Sequence, residues 1–191
     1  MNFRKIGWSR IITVLLLLFV AAYIYSARVK SWVIRAKLMV GFYKPHIPEN
    51  KLGPAPVLVL QNSKGNVVNI RQFKGKVVFV NFWAVWCPPC LAELPSVDNL
   101  HSKFKADTNI VFITVDIDNN LPRAAKMLEH RGYDLPVYGT PANKPVGQFA
   151  PDGIPTTLVI DKEGNLAFQE SNTANYNDEK FAAFMERLAK K

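Results

Sequence analysis

The chain has 191 residues but only two cysteines, three histidines and, across its first 44 residues, no acidic side chain. Two cysteines three positions apart cannot form the disulfide framework that staples a small secreted fold, so Cys87 and Cys90 read as a working pair. A zinc centre usually needs four ligands. No second cysteine pair exists, and His46, His101 and His130 are scattered along the chain, each reading as a solvated surface residue. The domain also lacks an excess of positive charge. Arg4, Lys5, Arg10, Arg28, Lys30, Arg35, Lys37 and Lys44 carry eight of the nine net positive charges, which leaves residues 45–191 nearly neutral. A neutral domain has no electrostatic footprint for a phosphate backbone, so no nucleic-acid partner is expected. Hydrophobic residues make up 49% of the chain, enough to build a core and to exclude a disordered protein.

The basic excess surrounds an apolar run. Ile11 to Ala27 are 17 consecutive uncharged residues between Arg10 and Arg28. As a helix they extend roughly 25 Å, close to a hydrocarbon core of about 30 Å, and flanking arginines can snorkel to cover the difference. A cleavable signal peptide would need small residues at −3 and −1 of its cleavage site. Tyr25-Ser26-Ala27 places a bulky tyrosine at −3, so an uncleaved anchor is expected. No cysteine follows the run to carry a lipid. Both flanks are basic, so charge does not choose the orientation. From Arg28 to Tyr43, Val29, Trp32, Val33, Ala36, Val40 and Tyr43 recur at helical spacing among basic residues. That pattern suits either a helix lying on the membrane surface or a basic stalk continuing the anchor. Pro45, Pro48, Pro54 and Pro56 then punctuate a linker. The expected organisation is therefore a cytoplasmic stub and transmembrane anchor over residues 1–28, a basic juxtamembrane helix and linker over 29–55, and one domain over 56–191.

Within the domain, Val57–Gln61 and Val67–Ile70 flank a turn rich in Asn and Gly and predict a hairpin. Lys76–Trp83 and Ile110–Val115 read as buried strands, Cys87–Lys105 and Pro122–Arg131 as helices. Thr156–Ile160 and Leu166–Gln169 predict a second hairpin. Asp178–Lys190 predicts a closing amphipathic helix with Phe181, Phe184, Met185 and Leu188 on one face. The fold class is α/β, a mixed sheet flanked by helices.

Trp86-Cys87-Pro88-Pro89-Cys90 stands directly after a strand and before a helix. A thiolate is the reactive form of cysteine, and an ordinary thiol with a pKa of about 8.5 is mostly protonated at neutral pH. At a helix N-terminus, Cys87 faces unpaired N–H groups and the positive end of the macrodipole, both of which stabilise its thiolate. Three-residue spacing brings Cys90 within disulfide reach. Cys87 can attack a disulfide and Cys90 can resolve the mixed disulfide that results. No cofactor beyond this redox-active pair is expected. Two thiolates can also hold Cu(I), but no Met or His adjoins the motif to complete a site. Asp116, Asp118 and Asn120 echo the start of a calcium loop, yet Leu121 stands where such a loop needs glycine and Met127 where it needs glutamate.

The run Gly75 to Cys90, with Glu93 and Pro95, resembles the TlpA/ResA/CcmG branch of the thioredoxin superfamily. The resemblance continues through Phe112–Asp116 and Gly153–Asp161 and spans roughly residues 53–190. It implies a thioredoxin-like fold with an added N-terminal hairpin and a membrane tether, the domain lying outside the cytoplasm. It further implies a reductase of protein disulfides, with cytochrome c maturation as a possible setting and a membrane thiol carrier as electron donor. An oxidant that introduces disulfides is the alternative, because sequence does not fix a redox potential. Pro155 matches the family's cis-proline, which would present the backbone of Ile154 to an extended substrate. Glu93, one helical turn past Cys90, matches an acid kept near the active site. With a pKa raised by burial it can take the Cys90 proton. Asn81 stands where many thioredoxins carry a buried Asp and cannot titrate. Trp83 and Trp86 are candidates to frame the site, Trp86 as a substrate contact.

Overall fold

The computed structural model describes residues 8–25, 33, 36–37, 43–50, 52–141 and 153–190. Two apolar runs form the centre of its sheet. β4 (Val77–Trp83) is buried at every position and pairs in parallel with β5 (Ile110–Asp116), as continuous apolar strands covered on both faces should. Among the described residues the sheet has eight strands, in the order β1 (Gly53–Pro54), β8 (Asn165–Glu170), β7 (Thr156–Ile160), β4, β5, β6 (Val137–Gly139), β2 (Val59–Asn62) and β3 (Val67–Asn69). β7 (Thr156–Ile160) runs antiparallel to β4 and forms a hairpin with β8 (Asn165–Glu170). β2 (Val59–Asn62) and β3 (Val67–Asn69) form the expected N-terminal hairpin, docked on the far edge through β6 (Val137–Gly139). The Asn62 carboxamide oxygen accepts from the amides of Lys64 and Asn66 to build its turn, and Gly65 supplies the positive φ of 81° that the turn requires. β6 was not anticipated, since three residues are too few to display a period.

Strand alternation divides the core. Val77, Phe79 and Trp83 face one side, where α2 (Pro88–Phe104), α3 (Leu121–His130) and α4 (Glu179–Lys190) pack. Val78, Val80 and Phe82 face the other, against Leu58, Leu60 and Ile70. On the helix side, Phe79, Phe168, Tyr176 and Phe181 form an aromatic cluster with centroid separations of 4.9 to 6.5 Å. Pairs of this kind add about 0.5–1.5 kcal/mol each beyond area burial. The same alternation turns Asn81 of β4, Thr157 of β7 and Thr114 of β5 toward the helices, side by side in register. These polar interruptions in apolar strands mark where the site is built.

One expectation changes. The proline-punctuated stretch is packed against the domain. Pro45 is buried, Ile47 lies on the helix-side core, Tyr43 is bonded to Asn175, and β1 (Gly53–Pro54) pairs with β8. Residues 43–50 and 52–55 therefore join the domain structurally, because proline rings and Ile47 supply apolar surface that a free linker would waste. The N-terminal run forms α1 (Trp8–Tyr25), with Leu15, Leu16, Leu17 and Leu18 all about 60% exposed. Among the described residues, no helix is long and apolar enough to cross a membrane. The expected juxtamembrane helix lies largely outside the described residues.

The loop from β5 to α3 closes against β6. Asn119, at φ 56°, donates through its side-chain amide to the Thr140 hydroxyl (2.9 Å) and accepts from the Thr140 amide (2.6 Å). A Cβ on Gly139 would collide with the Asn119 carboxamide oxygen and lie 3.2 Å from Leu121. Gly139→Ala should therefore cost about 1–3 kcal/mol, the usual scale of overpacking, read as a lowered denaturant midpoint. Adding Asn119→Gly should recover part of that loss, since it removes the obstruction and suits the positive φ. A Gly139→Ala protein that unfolds at the unaltered midpoint would refute the close approach.

Candidate functional site

At the C-terminal end of β4 the chain turns through Ala84–Trp86 into α2, and Cys87 becomes the helix cap. Its φ and ψ are −86° and 103°, extended as an N-cap requires, and Pro88 and Pro89 occupy the first helical positions, where the missing N–H groups cost nothing. Cys87 and Cys90 are joined in a disulfide, with Cα atoms 5.3 Å apart. The Cys90 amide donates to Cys87 Sγ at 3.2 Å. In the reduced protein the same N–H, with the helix dipole, would favour a Cys87 thiolate. Cys90 is only 1% exposed. Cys87 is less exposed than expected of a nucleophile, at 3%: it belongs to the helix-side core cluster that also holds Trp83 and Ala84.

The Ile154–Pro155 bond is cis. It brings the Ile154 carbonyl oxygen to 3.9 Å from Cys87 Sγ. Trp86, directly before Cys87 in sequence, is 57% exposed, whereas Trp83 is fully buried in the core cluster that contains both cysteines. A cavity of about 320 Å³, lined by Pro54, Phe73, Lys76, Ile160 and Gly164, lies at the opposite end of β4 and takes no part.

Glu93 is 1% exposed, more deeply buried than helical spacing alone suggested. Asn81 Nδ2 donates to Glu93 Oε1 (2.8 Å) and to Thr157 Oγ1 (2.9 Å). The Ala174 amide donates to Glu93 Oε2 (2.8 Å). Two donors on one carboxyl favour its charged form, while removal from water disfavours it. Burial prevails and, with a smaller push from Glu170, raises the pKa to about 8 despite the Ala174 and Asn81 hydrogen bonds. The expected rise is therefore present, and burial is its leading cause. Asn81 is a hydrogen-bond donor to this acid. The Tyr176 phenol, buried with no partner of normal geometry, is held well above its ordinary pKa by burial and by Glu93.

Sequence reasoning missed Thr157 and Ala174. Thr157 is two residues past the cis-proline, the second of two buried threonines that open an otherwise apolar strand, a signal that was present. Ala174 acts through its backbone, which no side-chain pattern reports. His101, expected in solvent, is instead half-buried with its ring edge-on to Phe112 at 5.1 Å, and burial lowers its pKa. The Asp116 carboxylate accepts from the amides of Asp118 (3.3 Å) and Asn120 (2.9 Å) and shapes the turn into α3. Among the described residues, no group of three or more His, Cys, Asp or Glu is placed to hold a metal ion.

The Redoxin family model matches residues 48–183, and the chain belongs to that family. A relative from Bacillus thuringiensis (strain Al Hakam), named thiol-disulfide oxidoreductase ResA, is 31% identical over 60% of this chain. The match spans 66% of that relative, slightly less than two thirds. A ResA from Halalkalibacterium halodurans is 25% identical over 82% of this chain and 89% of its own length. Among solved structures, a thiol:disulfide interchange protein of the thioredoxin family from Chlorobium tepidum TLS superposes with a TM-score of 0.59. It is 25% identical, over 74% of this chain and 99% of that one. The thioredoxin-like fold is thereby established, with its cysteine pair at the expected strand-to-helix junction.

The raised pKa of Glu93 makes stability depend on pH. The acid titrates near 4.5 when unfolded and near 8 when folded. Between those values the folded protein holds a proton that the unfolded chain has released. The contribution is fully present below the lower value and is lost as pH rises through the upper one, amounting to at most about 5 kcal/mol. Glu93→Gln should flatten this part of the stability curve. It should be destabilising at pH 5, where an amide cannot accept from both Asn81 and Ala174, and should gain on the unaltered protein by pH 9. Denaturant unfolding at pH 5, 7 and 9 measures it; parallel curves for the two proteins would refute the burial of a titrating acid.

Proposed function

We propose that this Redoxin-family chain is a thiol–disulfide oxidoreductase that reduces protein disulfides outside the cytoplasm, through the dithiol form of Cys87 and Cys90. The observation that carries the reading is the sulfur pair at the N-terminus of α2, with the Cys90 amide on Cys87 Sγ and a buried acid one helical turn further along. Cys87 thiolate attacks one sulfur of a substrate disulfide. An S–S bond forms between Cys87 and the substrate, and the substrate's other sulfur leaves as a thiolate that takes a proton from water. The Cys90 thiol gives its proton to Glu93 in the acid's ionised form, a fraction that grows as pH approaches its raised pKa, and attacks Cys87 Sγ; Glu93 then returns that proton to water. The Cys87–Cys90 disulfide forms and the second substrate thiolate is released. Two electrons have passed from the dithiol to the substrate, and a membrane thiol donor of the same chemistry restores the dithiol. Trp86 and the Ile154 backbone beside cis-Pro155 receive the extended substrate segment.

The relatives' name supports the activity class, and the amide donor and helix N-terminus support Cys87 as the nucleophile. Anchoring belongs to the same proposal. The exposed leucines of α1 and the basic residues on both sides of it in sequence support a seat in lipid, with the domain at a membrane surface. Cytochrome c maturation is a setting in which such a reductase would meet its substrates.

The cysteines should separate by role. Cys87→Ser should abolish turnover of a protein disulfide. Cys90→Ser should accumulate a covalent mixed disulfide through Cys87, visible as a thiol-sensitive adduct by mass spectrometry. If the adduct forms in Cys87→Ser instead, the attacking and resolving roles are reversed.

A further inference from the structure

The segment leading into α4 passes Glu93 with successive amides turned to opposite sides. Ala174 N–H points inward and donates to Glu93 Oε2 (2.8 Å). Tyr176 N–H also points inward, to the hydroxyl of Ser96 (3.1 Å), which itself donates to the Glu93 carbonyl oxygen (2.8 Å). Asn175 N–H, between them, points outward and donates to the carbonyl oxygen of Tyr43 (2.7 Å). Lys44 Nζ lies 4.0 Å from Asp178 Oδ2, at the start of α4. Pro45 is buried, and Ile47 rests on the same core cluster as the cysteines. The 174–176 segment is thus held on two sides, by α2 within and by a strap of residues 43–47 without. Toward the N-terminus that strap leads back to the basic stretch and to α1.

We propose that residues 43–47 are a positioning element for Glu93: by gripping Asn175 from outside, the strap keeps the Ala174 amide on the acid, so that displacing the membrane-proximal segment alters proton transfer beneath the disulfide. The inference rests on the reading of Glu93 as the base for Cys90. The groups facing Glu93 are Asn81 from β4, Glu170 from β8, and Ala174 and Tyr176 from the segment itself, with the cysteine pair one turn back along α2. Of these, the Ala174 N–H favours the ionised acid and Glu170 opposes it. Loss of the Ala174 donor leaves burial and Glu170 less opposed, so Glu93 should hold its proton to higher pH and accept the Cys90 proton less readily at neutral pH.

The test uses the full chain in detergent micelles. Ile47→Asp places a charge under the strap. Pro45→Gly is the milder second variant, should the first not fold. Reduced protein is mixed with a small aromatic disulfide, and the second, slower release of aromatic thiolate reports closure of the Cys87–Cys90 bond across pH 5–10. The expected result is an inflection moved upward by about one pH unit. That corresponds to closure about tenfold slower at pH 7, while the first thiolate release by Cys87 is unchanged. Faster hydrogen exchange at Asn175 should accompany it. A strap that merely stabilises the fold would lower the denaturant midpoint and leave the inflection in place. An unmoved inflection with Asn175 exchanging freely overturns the proposal. Glu93→Gln separates the two claims: if it retains the inflection, the reading of Glu93 itself fails. If Glu93→Gln loses the inflection while the strap variants keep it, only the strap proposal fails.

Discussion

A carboxyl group removed from water and held by donors from a strand and a distant loop sits where four parts of the fold meet. Glu93 comes from α2, Asn81 from β4, Thr157 from β7 through Asn81, and Ala174 from the segment before α4. None of these parts can shift without leaving a buried polar group unpaired, which costs about 1–3 kcal/mol for each neutral group and more for a charged one. The position of α2 against the sheet is therefore set by polar contacts at its cysteine end and by apolar packing of Val97, Leu100 and Phe104 along the rest. The cysteine pair inherits its place from that constraint.

Opposed electrostatic influences then divide the labour within the site. At Cys87 the helix N-terminus and the Cys90 amide favour negative charge. One and two turns deeper, burial disfavours it at Cys90 and Glu93. The end of α2 that favours negative charge is thus separated by less than two turns from a buried acid that resists it, and only the ionised form of that acid can accept a proton. The sulfur pair is nearly buried, with the Ile154 carbonyl oxygen 3.9 Å from Cys87 Sγ and the exposed Trp86 next to Cys87 in sequence.

Much of this was legible from residue pattern. The apolar runs of β4 and β5 located the sheet centre, and Cys-Pro-Pro-Cys located the helix cap, because strand period and proline placement are local properties. Glu93 was found from helical spacing, and Pro155 from resemblance. The contacts that escaped notice are non-local or carried by backbone. Ala174 lies 81 residues from Glu93 and contributes only an N–H. β6 is too short to show alternation, and the proline-punctuated stretch around Pro45 looked like a linker because proline marks packed extended chain and free chain alike. His101 was misplaced for a related reason. Its burial depends on Phe112 of a neighbouring strand, which its own surroundings in sequence do not reveal.

The central claim is that the Cys87–Cys90 couple delivers electrons to substrate disulfides, with Glu93 tied to its proton balance. The most direct test is the midpoint potential of that couple, measured against a glutathione buffer across pH 6–9. A reductase should lie near thioredoxin's value of about −270 mV and well below the roughly −120 mV of a strong disulfide-introducing oxidant. A value close to the latter would mean that electrons flow the other way, and would contradict the reductase reading.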